Sequence, residues 1–112
     1  MDSVTAILDE ITLQSEKMKK PSNILHVIKA LIYLGPGWHS FSEVLAKTME
    51  ISGNTKMKYY PIQDIIKRGL AEMEMKSGTP IGSIRIKLKD ELYDQIKTCI
   101  DTYIERLKKY QV

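Results

Sequence analysis

The sequence has few of the residues that build disulfide-linked or metal-bound proteins. It contains one cysteine, Cys99, and two histidines in 112 residues. No disulfide can therefore form within the chain, and the ligands for an ordinary structural zinc site are too few. No apolar run approaches the roughly 18 residues of a membrane-spanning helix, which predicts no membrane span. The opening residues Met1-Asp2-Ser3 lack the basic and apolar segments of a secretory signal, so we expect a cytoplasmic protein.

Residues that would form an active site are not grouped along the chain. His26 and His39 have no nucleophile in a triad-like arrangement, and His26 is expected to be a packed or edge residue of a helix. Cys99 falls within another predicted helix, where a small core or interface residue explains it. Gly35-Pro36-Gly37 lacks the Lys-Ser/Thr that follows in a phosphate-binding loop. We predict that the protein is not an enzyme and uses no metal or cofactor.

The positive charge is concentrated in one part of an otherwise ordinary composition. Hydrophobic residues make up 43% and charged residues 28%, as in a folded globular domain. The net charge is +3, yet residues 53–89 alone hold eight Lys or Arg against three Asp or Glu. A basic window in a neutral domain is typical of nucleic-acid binders, although a merely solvated surface would give the same count.

Apolar spacing predicts helices over the first half of the chain. Residues 3–18 carry apolar side chains on one face of a 3.6-residue period. Residues 23–34 are apolar around most of the circumference, which predicts the most buried helix. Ser40 and Glu43 form the pattern of a capping box, which predicts that a third helix begins there.

A fourth helix is predicted within residues 56–68, and Pro61 leaves its start open. Either the helix begins near Tyr60 with Pro61 in its first turn, or residues 55–60 form a separate helical turn. Gly69 is expected to end this helix.

The hydrophobic period then changes from helical to two, which predicts a β-hairpin. Glu72–Met75 and Ser83–Lys89 alternate, with a turn-rich loop between them. Across this hairpin, Glu72 and Glu74 are expected to face Arg85 and Lys87, which would cancel much of its positive charge.

A last helix is predicted after Asp90, which would be its N-cap. Its apolar residues are spaced alternately by four and three, as in a heptad seam. The seam has three possible partners: its own domain, the first helix, or a second copy of the chain.

This order of elements resembles a winged helix-turn-helix domain. The second helix would contain Phe41-Ser42-Glu43-Val44-Leu45-Ala46, the turn would be Ile51–Thr55, and Glu72–Leu88 would hold the wing strands. The junction Ile65-Ile66-Lys67-Arg68-Gly69-Leu70 is similar to the end of the recognition helix in such domains. The order is similar to MarR and PadR regulators and to small winged-helix adaptors that bind plasmid centromeres.

The resemblance covers residues 22–90 and implies an α+β, mainly α fold with a two-stranded wing and a long C-terminal helix. Within a single domain of residues 1–112, residues 1–20 and 90–112 would supply packing or dimer helices. The recognition helix and its approach would bind DNA through Ser52, Asn54, Thr55, Lys56, Lys58, Tyr59, Tyr60, Gln63, Lys67 and Arg68. The wing would add Lys76, Ser77, Thr79, Arg85 and Lys87. The expected dimer interface comprises Ile7, Ile11, Ile96, Ile100, Tyr103, Leu107 and Tyr110.

These observations predict sequence-specific binding of double-stranded DNA by a homodimer, as in a transcriptional regulator. One alternative is a plasmid or phage protein that binds centromere or replication sites. Another is a winged helix that binds an unidentified protein partner and no DNA, which the carboxylates of Asp64, Glu72 and Glu74 would suit. No membrane partner is expected.

Overall fold

The computed structural model describes residues 3–20, 22–56, 60–75 and 84–107. These residues form five α-helices and three strands, which confirms the α+β, mainly helical class and the predicted order of elements. In chain order they are α1 (Ser3–Met18), α2 (Asn23–Leu34), β1 (His39–Ser40), α3 (Phe41–Ser52), α4 (Tyr60–Lys67), β2 (Ala71–Glu74), β3 (Arg85–Leu88) and α5 (Tyr93–Leu107). A short 3-10 turn, Asp90–Leu92, precedes α5.

Helix α2 lies at the centre, as its apolar circumference predicts. Leu25, Val27 and Ile28 have no exposed surface, and the helix contacts α1, α3, α4, α5 and β3. Ser22 caps its N-terminus by accepting a hydrogen bond from the amide of Leu25. The other four helices are therefore positioned by packing on one buried helix.

The strands form an antiparallel sheet in the order β1-β3-β2. The predicted hairpin is present, with Glu72 opposite Lys87 and Glu74 opposite Arg85. Strand β1, directly before α3, pairs with the other edge of β3. Strand β2 has the predicted length but lies one residue earlier than predicted, and β3 is shorter than predicted within the residues described.

The ends of α3 and α4 are fixed by local hydrogen bonds. The predicted capping box is present, since the Glu43 amide donates to Ser40 Oγ over 3.1 Å and the Glu43 carboxylate accepts from the Ser40 amide. Helix α4 begins at Tyr60 with Pro61 in its first turn, as the first of the two alternatives predicts.

Gly69 ends the path of α4 and turns the chain into β2. Its φ of 80° is left-handed. The Gly69 amide donates to the carbonyl of Ile66 and the Leu70 amide donates to that of Ile65, over 3.1 and 3.0 Å. This pair of bonds is a Schellman motif, in which glycine accepts the left-handed conformation at little cost.

The predicted N-cap at Asp90 is wrong. The 3-10 turn separates this residue from α5, which begins at Tyr93. The Asp90 carboxylate instead accepts a hydrogen bond from Lys87 Nζ over 2.9 Å. The competing charge pair explains why the side chain does not cap the helix.

The predicted dimer seam packs inside one chain. Ile11 and Ile96 have no exposed surface, and Ile100 and Tyr103 are 1% and 6% exposed. Helix α5 contacts α1, and the Tyr103 hydroxyl donates to the Asp9 carboxylate. These four interface assignments are corrected, because a buried side chain has no surface left to cover with a second copy.

Three further residues were predicted for the dimer interface: Ile7, Leu107 and Tyr110. Ile7 is partly buried against the same core. The side chain of Leu107 and all of Tyr110 lie outside the described part.

Across the residues that the structure describes, no helix has both the length and the apolar content to cross a membrane.

Replacing Ser40 with Ala should lower the free energy of unfolding by about 1 kcal/mol, because α3 loses its capping box. Ser42→Ala is the matched control, since this exposed serine lies in the first turn of the same helix and is not its cap. Urea unfolding followed by circular dichroism measures both. Equal stability of the two variants would contradict the capping assignment.

Candidate nucleic-acid interface

Helix α4 has one buried face and one open face. Pro61, Ile62 and Ile65 are buried toward α2 and β2, the elements that α4 contacts. Tyr60, Gln63 and Lys67 are exposed, and their spacing places them along one side of the helix. The open face thus presents a phenol, an amide and an ammonium group in a row.

The chain between α3 and α4 is held by side-chain hydrogen bonds to its own backbone. Gly53 ends α3 with a left-handed φ of 73°. Ser52 Oγ then accepts from the Asn54 amide over 3.1 Å, and Asn54 Oδ1 accepts from the Lys56 amide over 3.0 Å. These bonds fix the turn, from which Asn54, Thr55 and Lys56 project as exposed residues.

Lys56 lies in the approach to the recognition helix, which agrees with the predicted start near Tyr60. Lys56 lies in the turn, before α4 begins at Tyr60. It is therefore part of the approach and not of the helix face. Lys58 and Tyr59, which were predicted to flank that face, are outside the described residues.

Arg68 is engaged in ion pairs within the domain. Its Nε donates to Asp64 Oδ2 over 2.8 Å, and a terminal nitrogen lies 3.5 Å from Glu10 Oε2 on α1. The hydrogen bond that Arg68 donates to Asp64 is the main cause that raises the pKa of Arg68. Arg68 therefore connects α4 to α1, and it also neutralises the carboxylate nearest the open face.

Lys87 is held in a similar way on the hairpin. Its ammonium group contacts the carboxylates of Asp90 and Glu72 at 2.9 and 3.7 Å and lies 4.8 Å from the centre of the Trp38 ring. The Asp90 hydrogen bond raises its pKa. The predicted cross-hairpin pairing of Glu72 with Lys87 is thus present, and this cation is not free to bind a ligand.

Three predicted DNA-binding cations remain accessible. Lys56, Lys67 and Arg85 are exposed and form no ion pair with any residue that the structure describes. Two of them flank the open face of α4, and Arg85 lies on the hairpin. The predicted residues Lys76, Ser77 and Thr79 are outside the described part of the chain.

An apolar groove of about 520 Å³ adjoins the open face. It is lined by Phe41, Ile62, Gln63, Ile66, Lys67, Met73, Met75 and Ile84. Ala71, Met73 and Met75 alternate on one face of a strand. This alternation predicts a strand but not the groove, because it does not show how far the core covers the strand.

A smaller cavity of about 290 Å³ lies where the start of α2 meets the α3–α4 turn. His26, Ser52, Asn54 and Tyr60 are among its lining residues. His26 is half-buried, as expected for a packed or edge histidine. Burial, with a smaller contribution from the charge of Lys29, lowers its pKa below the ordinary value of 6.5.

Comparison with protein-family models, curated proteins and solved structures found no match to this chain. Among the described residues, no group of three or more His, Cys, Asp or Glu side chains is placed to hold a metal ion.

The lowered pKa of His26 predicts a stability that depends on pH. The unfolded chain takes up a proton at about pH 6.5, whereas folded His26 does so only at lower pH. The His26 contribution to the free energy of unfolding is therefore fully present above that pH and lost as the pH falls through it toward the folded pKa.

Urea unfolding at about pH 7.5 and about pH 5.5 should show this loss in the wild type. His26→Gln is the control, because it removes the titrating group and should reduce the difference between the two pH values. An unchanged difference in the variant would exclude His26 as its source.

Proposed function

We propose that the chain binds double-stranded DNA as a winged helix-turn-helix domain, with α4 as the recognition helix. The observation that carries the proposal is the open face of α4, where Gln63 lies beside Lys67, a lysine that forms no ion pair with any described residue. A fixed turn leads into that helix and a hairpin follows it. Both α3 and α4 pack on α2, which supports them as one unit.

The dimensions of α4 suit the major groove. An α-helix with its side chains is about 10–12 Å across, and the major groove of B-DNA, about 12 Å wide, admits one. A buried face made of Ile62 and Ile65 leaves Tyr60, Gln63 and Lys67 to approach the base edges. A glutamine amide pairs with both a donor and an acceptor on adenine, and a lysine contacts guanine or phosphate.

The charge around α4 favours a polyanion. Lys56 and Lys67 stand at the two ends of the open face without an ion pair to any described residue. Asp64 would repel phosphate, but its charge is neutralised by Arg68 at 2.8 Å. Exposed hydroxyl and amide groups of Thr55 and Asn54 can donate to phosphate oxygens, which positions a protein on a duplex without reading sequence.

A homodimer acting as a transcriptional regulator remains part of the proposal. Two copies related by a two-fold axis would place two recognition helices about 34–36 Å apart, one turn of DNA. Because the α5 seam is buried, such a dimer needs another surface. Leu13 and Met18 are exposed apolar side chains on α1, at 54% and 45%.

Two alternative functions would involve a different target, either tandem DNA sites or a protein partner. A centromere- or replication-site protein would use the same face, and cooperative binding to tandem repeats would distinguish it from a regulator. A protein-interaction module is favoured by one observation, the exposed Met73 and Met75 beside the apolar groove, at 47% and 57%. Such a module would show no affinity for a duplex at low salt.

The first test is the affinity of Lys67→Ala for a fluorescent duplex of random sequence, measured by anisotropy over a range of salt concentrations. Loss of one phosphate contact should make the slope of log affinity against log salt less negative by about 0.9. The matched control is Lys97→Ala, because Lys97 is an exposed lysine on α5. Equal slopes for the two variants would remove Lys67 from the interface.

Replacing Gln63 with Ala should alter sequence preference, because the amide is the best placed group on α4 for reading a base edge. Selection of preferred duplexes from a random library, with wild type and variant in parallel, measures the change. A specific base contact contributes about 1–3 kcal/mol to discrimination. Identical preferred sites would exclude Gln63 from readout.

A further inference from the structure

The apolar groove lies between α4 and the face of β2 that carries Met73. Ile62 and Ile66 form its helix side, Met73 and Met75 its strand side, and Phe41 and Ile84 are further lining residues. Met73 pairs with Ile86, which is fully buried. Because cross-strand partners point to the same side of a sheet, the methionines continue the core face of the sheet beyond the part that α4 covers.

The methionine side chains are much more exposed to solvent than the neighbouring residues on that face. Met73 is 47% and Met75 57% exposed, whereas Ile86 and Leu88 on the neighbouring strand are 0% and 3% exposed. Methionine is flexible and polarizable, so it adapts to the shape of an apolar ligand. The volume of about 520 Å³ lies within the range of small-molecule pockets.

The groove carries charge of one sign. Lys67 is the only charged residue among the eight described lining residues, and Gln63 supplies an amide beside it. No described carboxylate pairs with the Lys67 ammonium group. An apolar lining with one free cation at its edge is complementary to a molecule that has an aliphatic body and one anionic end.

We propose that this groove binds a free aliphatic carboxylate. The chain lies against Ile66, Met73 and Met75, the carboxylate accepts a hydrogen bond from Lys67 Nζ, and the Gln63 amide donates a second. The regulatory consequence rests on the proposed function. Gln63 and Lys67 also form the DNA face, so the carboxylate and a duplex compete for the same two side chains.

The experiment uses decanoate below its micelle-forming concentration, titrated into the full chain by isothermal calorimetry without DNA. Decanol and acetate are the matched probes, because one lacks the charge and the other lacks the chain. We expect saturable decanoate binding, decanol binding that is about fivefold weaker from loss of the ion pair, and no measurable binding of acetate.

Two variants locate the site. Lys67→Met keeps length and apolar character but removes the charge, so it should weaken decanoate about fivefold and leave decanol unchanged. Met73→Asp places a carboxylate in the groove and should weaken decanoate at least about tenfold. Tyr33→Asp is the control, because Tyr33 is 71% exposed on α2 and does not line the groove, so this variant should leave decanoate binding unchanged.

Several results would overturn the proposal. The first is that decanoate gives no saturable heat, the second is that decanoate and decanol bind with equal affinity, and the third is that Met73→Asp binds decanoate as tightly as the wild type. A sedimentation mass that falls in Met73→Asp without ligand would show that a second copy covers the groove, which also overturns it.

Displacement of a bound duplex by decanoate, followed by anisotropy, tests the competition. Duplex that stays bound at saturating decanoate overturns the shared use of Gln63 and Lys67. A protein that binds decanoate with the expected charge dependence, yet never binds a duplex, contradicts the proposed function and supports the ligand site. The two failures are therefore distinguishable.

Discussion

The burial of α2 is the constraint on which the other elements depend. With Leu25, Val27 and Ile28 fully enclosed, this helix needs apolar neighbours on every side, and α1, α3, α4, α5 and β3 provide them. The two-turn helix α4 is too short to be stable alone. Its position comes from Ile62 and Ile65 in the shared core and from the Schellman motif at Gly69. The same packing that completes the core leaves Gln63 and Lys67 facing outward.

Ion pairs within the domain divide the basic residues into two groups. Arg68 and Lys87 lie close to carboxylates and connect one element to another, Arg68 joining α4 to α1 and Lys87 joining β3 to β2 and to the turn before α5. Lys56, Lys67 and Arg85 remain exposed. The formal charge of residues 53–89 therefore overstates the charge that this segment offers to a ligand, because two of its cations are already paired.

Local patterns predicted most of the fold. The capping box at Ser40, the helix stop at Gly69 and the alternation over β2 and β3 each depend on residues within a few positions, and each is present. The burial of α2 followed from its apolar circumference. The ion pair of Glu10 with Arg68 joins residues far apart in sequence, so no local pattern reveals it.

The dimer seam and the groove show where sequence patterns are insufficient. The spacing of Ile96, Ile100 and Tyr103 identifies an apolar face but not what covers it, and α1 of the same chain covers it. For Met73 and Met75 the opposite holds. Their alternation indicates a face that the core covers, but α4 leaves that face open. In both cases, what covers the apolar face depends on the relative positions of elements that are distant in sequence. The hydrophobic period of a single segment gives no information about those positions.

The most direct measurement is backbone amide NMR of the labelled protein during titration with a short duplex. We expect the shifts to change at Asn54–Lys56 and along Tyr60–Lys67, with little effect on the outer face of α5. Shifts that move on α5 and leave α4 unchanged, or a spectrum that the duplex does not alter at about 50 mM salt, where phosphate contacts are strong, would contradict α4 as the DNA-binding helix.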